Sequence, residues 1–100
     1  MRKYAEKLVN ATNDKAVGNH SVYFYNHLHV CYRDDKTGNL KYVEGVTRAF
    51  YYHGNRICLV NDLEKEFWLS HAGWFTSSTT QALNQYREWF GRLGYKCMTD

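Results

Sequence analysis

The chain has 100 residues, of which 44% are hydrophobic, 17% are aromatic and 23% are charged, and it contains no proline. This length suits one domain over residues 1–100, and the aromatic content excludes a mainly disordered chain. The net charge of +3 excludes a protein whose main task is to coat nucleic acid, although it permits nucleic-acid binding.

The cysteines and the lack of long apolar runs predict where the protein acts. Cys31, Cys58 and Cys97 are odd in number and widely spaced, which indicates reduced thiols rather than a disulfide framework. The N-terminal residues carry no apolar run of signal-peptide length, and no stretch of roughly 18 uninterrupted apolar residues occurs. We therefore expect a cytoplasmic protein with no membrane partner.

The first predicted element is a short amphipathic helix from Arg2 to about Asn13, because apolar residues recur there at helical spacing. The polar residues up to position 19 predict a connection. A strand begins at His20, and Asn26 interrupts its alternation, which predicts a bend or bulge. The inward-facing residues of this strand are expected to be Val22, Phe24, Leu28, Val30 and Tyr32.

Four more extended segments follow. Turn-prone residues at 34–39 predict a hairpin with a strand at Leu40–Val43. Segments at about 46–53 and 56–60 form a second hairpin around Gly54-Asn55, where glycine tolerates the positive φ of a type II′ turn. Glu66–Leu69 completes a sheet of about five strands.

A C-terminal helix is predicted from about Ser78 to Leu93. Ser78 and Gln81 have the spacing of a capping box. Hydroxyls at a helix start usually cap amides, and the alternative is that they bind an anion such as phosphate. The predicted sheet-facing stripe consists of Leu83, Tyr86, Phe90 and Leu93. The expected fold is α+β, an antiparallel sheet with a short N-terminal helix and the C-terminal helix packed on it.

Residues that could carry chemistry are few. His27, His29 and Cys31 alternate on one strand and could bind zinc, but no further ligand has a diagnostic spacing. The alternative is that they line a half-solvated sheet face. Ser70 and His71 are adjacent on an extended chain and therefore point to opposite sides. We expect no enzymatic activity and no cofactor.

The predicted partner site surrounds the Gly54-Asn55 hairpin and consists of Arg48, Tyr51, Tyr52 and Arg56. Aromatic rings and arginine anchor protein interfaces, and hairpin tips project from a domain. An aromatic, basic sheet face is also how single-stranded nucleic acid is bound, which gives a second hypothesis. The third interpretation is an ordinary solvated hairpin with scattered tyrosines.

The segment 74–84 resembles the close of small phage- and prophage-encoded accessory proteins of unknown function. In those proteins a strand with a Tyr-x-Tyr segment, here Tyr23-Phe24-Tyr25, precedes a helix start of the type Ser78-Thr79-Thr80. The N-terminal helix and a longer central insertion depart from that pattern. The resemblance implies a protein that acts inside an infected bacterium. We therefore expect a non-enzymatic inhibitor of a host or host-defence protein, for example an anti-CRISPR-like inhibitor. The alternatives are a protein that binds single-stranded nucleic acid and a zinc-dependent enzyme.

Overall fold

The computed structural model describes residues 3–99, with the side chains of all of these except Lys3, His27 and Leu28. The described residues form one sheet in the order β1-β2-β3-β4-β5-β6. Neighbouring strands are antiparallel except for the parallel pair β5 and β6. The predicted α+β class with a mostly antiparallel sheet is therefore confirmed. The elements are α1 (Lys3–Val9), β1 (Lys15–Val17), β2 (His20–Arg33), β3 (Leu40–Tyr52), β4 (Asn55–Asn61), β5 (Glu66–Leu69), α2 (Ser77–Arg92) and β6 (Lys96–Cys97).

The prediction of about five strands is corrected to six in the described residues. The segments predicted separately at 40–43 and 46–53 belong to the single strand β3, which continues through Gly45 at a φ of +76°. A Cβ on Gly45 would lie 2.8 Å from the side-chain nitrogen of Asn61, so glycine is needed at this close approach. The short strands β1 and β6 were not predicted, because two or three residues are too few to show alternation.

Helix α2 matches its prediction closely. Leu83, Tyr86 and Phe90 are buried as predicted, whereas Leu93 is 51% exposed because it lies at the C-cap beyond the helical turns. The N-cap is Thr76, whose hydroxyl accepts a hydrogen bond from the Thr79 amide, and not Ser78 as the capping box predicted. Five consecutive hydroxyl side chains can all cap, so spacing alone could not select the first.

Helix α1 is shorter than predicted, because it ends at Val9 rather than near Asn13. The side chain of Arg48 donates to the carbonyl of Val9, the last residue of α1, at 3.0 Å. A cation at this end also suits the helix dipole. No helix in the described part of the chain has the length and apolar character that a membrane span requires.

The hairpin between β3 and β4 is present, but its two turn residues are His53 and Gly54 rather than Gly54 and Asn55. Tyr52 pairs with Asn55, and His53 and Gly54 have φ values of 51° and 76°. Two successive positive φ values define a type I′ turn, which matches strand twist better than the predicted assignment.

The sheet buries residues on both faces. Both helices cover one face, which we call the helix face, and its core includes Val22, Phe50, Val60, Leu8 and Phe90. The opposite face buries a second cluster that consists of Val30, Tyr32, Val43, Val46, Ala49 and Leu59.

The distal half of the β2–β3 hairpin, residues 29–46, curls over this second face, and we call it the arm. Arg56 of β4 donates to the carbonyl of Cys31 in β2 at 2.6 Å, although β3 separates these strands in the sheet. The Ser70 hydroxyl donates to the carbonyl of Arg33 near the arm's end. Register shifts in β2 between Phe24 and Leu28, at the predicted bulge, allow this bend. Phe24 was predicted to face inward, but it is 37% exposed because the alternation breaks there.

Candidate functional site

The four residues of the predicted partner site do not lie on one surface. Arg48 and Tyr52 lie on the helix face, where Tyr52 packs against the core. Tyr51 and Arg56 lie on the arm-covered face, where Tyr51 packs against the second cluster. Alternation along the strand explains the separation of Tyr51 from Tyr52.

Arg48 is a structural residue of the helix face. It is 9% exposed, and its Nε and Nη2 donate to the two carboxylate oxygens of Asp62 at 2.9 and 2.6 Å. Burial is the largest influence on Asp62 and would raise its pKa, but hydrogen bonds from Arg48, Thr47 and Tyr95 outweigh burial and hold the pKa below its ordinary value. Arg48 was predicted to belong to a partner site at the hairpin, but it is buried, because this ion pair and the bond to Val9 hold it inside.

Tyr52 and the hairpin tip form one wall of a cleft of about 370 Å³. The second wall comes from the loop after β5 and from the start of α2. The hairpin wall consists of Tyr52, His53, Asn55 and Ile57, and the loop wall consists of His71, Trp74, Thr76, Ser78 and Thr79. The neighbourhood of the hairpin therefore contains a concave site, built from a partly different set of residues than predicted.

Both walls are shaped by tight turns with unusual backbone angles. In the hairpin wall, the chain reverses at His53 and Gly54, which both have positive φ. Ala72 and Gly73, with φ values of 53° and 87°, turn the loop wall, where the Trp74 amide donates to the His71 carbonyl at 2.8 Å. Non-glycine residues rarely adopt positive φ, and such residues concentrate at binding sites.

A three-residue network fixes His71 in the loop wall. Asp35 accepts hydrogen bonds from the His71 amide at 2.8 Å and from Nδ1 at 2.7 Å. An ionised carboxylate can only accept hydrogen bonds, so Nδ1 carries the proton when the His71 ring is neutral. Nε2 then accepts a hydrogen bond from the Thr80 hydroxyl at 3.0 Å. Hydroxyl, imidazole and carboxylate follow the order of a nucleophilic triad. Thr80 does not line the cleft among the described residues, so the network positions the imidazole.

Two large rings stand beside the cleft and remain in contact with solvent. Trp74 is 59% exposed and Phe75 is 66% exposed. The Phe75 ring stacks on His71, with ring centres 4.6 Å apart and planes at 19°. The His71 network therefore also supports the exposed Phe75 ring.

A second polar cluster lies on the arm-covered face, and we call it the tyrosine–arginine cluster. The hydroxyls of Tyr25 and Tyr51 lie 2.5 Å apart, and Arg56 Nε donates to the Tyr51 hydroxyl at 3.0 Å. Tyr23, 45% exposed, contacts the Tyr51 ring edge to face at 5.1 Å. Burial, followed by the hydrogen bond to Tyr51, raises the pKa of Tyr25 to about 12.

The hypothetical zinc ligands are only partly described, because the side chain of His27 lies outside the described residues. His29 Nε2 lies 2.8 Å from the Glu44 carboxylate, and Cys31 lies beside Arg56, with Sγ 3.6 Å from Nη1. The described side chains contain no group of three or more histidines, cysteines or carboxylates that could hold a metal ion.

Sequence reasoning missed the partners of His71. Asp35 precedes it by 36 positions, and no spacing rule links the two residues. Ser70 and His71 do bond to different partners, as their adjacency predicted. A signal for the cleft was present in Trp74-Phe75, two large rings directly after the turn residues Ala72-Gly73.

Comparisons with protein families, with curated protein sequences and with solved structures found no match for this chain.

Proposed function

We propose that this chain is a non-enzymatic protein that binds and inhibits a host or host-defence protein, and that the cleft beside Trp74 is its contact site. The pair Trp74 and Phe75 carries the proposal, because two large rings remain more than half exposed beside a cleft of about 370 Å³. Tryptophan is among the residues that most often anchor protein interfaces, since it buries a large area at low rotamer cost.

The walls of the cleft favour an apolar or aromatic side chain of the partner. Ile57 and the ring of Tyr52 supply apolar surface, and the hydroxyls of Thr76 and Ser78 supply polar groups. The described lining contains no lysine, arginine or carboxylate, so the cleft offers little to a nucleic-acid backbone. The resemblance to phage accessory proteins supports a bacterial protein as the partner.

Capture from a bacterial lysate tests the contact site with a matched pair of variants. Trp74→Ala removes the ring beside the cleft, whereas Leu63→Ala removes a 73% exposed apolar side chain that does not line it. We expect the parent and Leu63→Ala to recover the same protein, and Trp74→Ala to bind it about thirtyfold more weakly. Equal recovery by Trp74→Ala would contradict the proposed site.

A second measurement tests inhibition. The activity of the captured protein is assayed with increasing amounts of the parent chain and of Trp74→Ala. We expect the parent to lower that activity at concentrations where Trp74→Ala does not. A captured protein with unchanged activity would refute inhibition, and recovery abolished by nuclease would favour the nucleic-acid alternative.

A further inference from the structure

Arg56 is a half-buried cation with no carboxylate within 4.0 Å among the described residues. Its Nε donates to the Tyr51 hydroxyl, and its Nη1 donates to the Cys31 carbonyl. The guanidinium also interacts with the Tyr25 hydroxyl, and Nη2 has no carboxylate or carbonyl acceptor among the described residues. A guanidinium presents Nε–H and one Nη2–H along the same edge, which suits the two oxygens of a carboxylate.

Arg48 shows how this edge is satisfied elsewhere in the molecule. There, Nε and Nη2 both donate to Asp62, one to each oxygen. In Arg56, the Nε–H donates to the phenol oxygen of Tyr51. A further acceptor bonded to Nη2 would therefore lie next to the Tyr51 hydroxyl.

The two tyrosines of the cluster add a second donor. Tyr25 and Tyr51 share one hydrogen bond, which uses only one of their two hydroxyl hydrogens. The other hydrogen has no acceptor among the described residues. Because Arg56 donates to Tyr51, its charge polarises the pair and strengthens the remaining O–H as a donor.

We propose that Arg56, Tyr25 and Tyr51 form a binding site for a carboxylate carried by an acidic segment of a partner protein. The guanidinium supplies the charge, and the free phenol O–H supplies a second hydrogen bond. The exposed ring of Tyr23 lies against Tyr51 and offers apolar surface to the aliphatic part of a glutamate or aspartate.

A carboxylate fits this site better than a phosphate. Arg56 is the one cation bonded into the cluster within the described part of the chain. A phosphate monoester carries a charge of roughly −1.5 to −2 near pH 7 and is typically bound by several cations or amides. A carboxylate carries a single charge and needs two donors in one plane.

This site is separate from the cleft beside Trp74, because Tyr51 and Tyr52 point to opposite faces of the sheet. Substitutions in the cluster and in the cleft therefore test the two proposals independently.

Titration with a hexaglutamate peptide, followed by NMR of the ¹⁵N-labelled chain, tests the carboxylate site. We expect shifts of the Arg56 Nε–H and of the amides of Tyr25 and Tyr51, with affinity about tenfold or more weaker in Arg56→Met. Arg92→Met is the matched control, because it removes the same charge from an exposed pair with Glu88 on α2. Equal weakening by Arg92→Met would show general attraction and overturn the site.

Two further arms keep the test decisive. Tyr51→Phe retains the ring and removes the hydroxyl that accepts from Arg56 and lies beside Nη2. We expect this variant to bind severalfold more weakly, and it provides a second test if Arg56→Met disturbs the arm. Acetate and inorganic phosphate are titrated at equal ionic strength. A stronger response to phosphate at Arg56 would overturn the carboxylate assignment, as would unchanged hexaglutamate affinity in Tyr51→Phe.

Discussion

Arg48 and Arg56 lie on opposite faces of one sheet, and their guanidinium groups have different partners. On the helix face, Arg48 bonds both oxygens of Asp62 and the last carbonyl of α1. On the arm-covered face, Arg56 bonds a phenol and a carbonyl, neither of which carries a charge. Burial alone does not identify a structural arginine. The charge and number of its internal acceptors do.

The largest expected effect is on the helix face. Arg48→Met leaves Asp62 half buried without its cation and should lower the free energy of unfolding by about 2–4 kcal/mol. Arg56→Met loses bonds to neutral acceptors and should cost only about 1 kcal/mol. Urea unfolding followed by tryptophan fluorescence measures both values. Equal losses would show that Arg56 is as structural as Arg48.

The next effect is an acid-dependent loss of stability on the helix face. His20 is stacked between Tyr4 and Tyr52, and burial, followed by the charge of His53, lowers the pKa of His20 from 6.5 to about 4. Between pH 6.5 and about 4, the unfolded chain therefore binds a proton at His20 that the folded chain does not bind. The contribution of His20 to stability is complete above pH 6.5 and is lost as the pH falls toward 4.

His20→Phe retains an aromatic ring in the stack and removes the titrating group. We expect this variant to show a flatter dependence of unfolding free energy on pH between 6.5 and 4 than the parent shows. An equal slope in both proteins would assign the acid sensitivity to other groups. Asp62 adds its own loss at lower pH, because its pKa lies below the ordinary carboxylate value.

The sequence predicted what depends on local spacing. The buried stripe of Leu83, Tyr86 and Phe90 follows helical periodicity, and the burial of Val30 and Tyr32 follows strand alternation. Each of these features needs only neighbours within a few positions, so the pattern contains the required information.

Contacts between distant segments could not be predicted in this way. Arg48 looked like a hairpin cation because its partners, Asp62 and the end of α1, are fixed only when the sheet and helix meet. The His71 network joins positions 35, 71 and 80, and no sequence spacing encodes it. The candidate site could therefore be placed near the hairpin, but its walls could not.

The smallest expected effect belongs to the arm-covered face and appears in alkali. Burial and the hydrogen bond to Tyr51 raise the pKa of Tyr25 from 10.0 to about 12. The folded chain therefore retains the phenol proton that the unfolded chain releases, so this contribution is complete below pH 10 and is lost as the pH rises toward 12. At neutral pH, Tyr25→Phe should change stability by only about 0.5–1 kcal/mol, because one hydrogen bond between neutral, half-exposed groups is removed. The tyrosinate absorbance of the parent minus that of Tyr25→Phe isolates this titration. A midpoint near pH 10 in this difference titration would show that the hydrogen bond to Tyr51 does not raise the pKa of Tyr25.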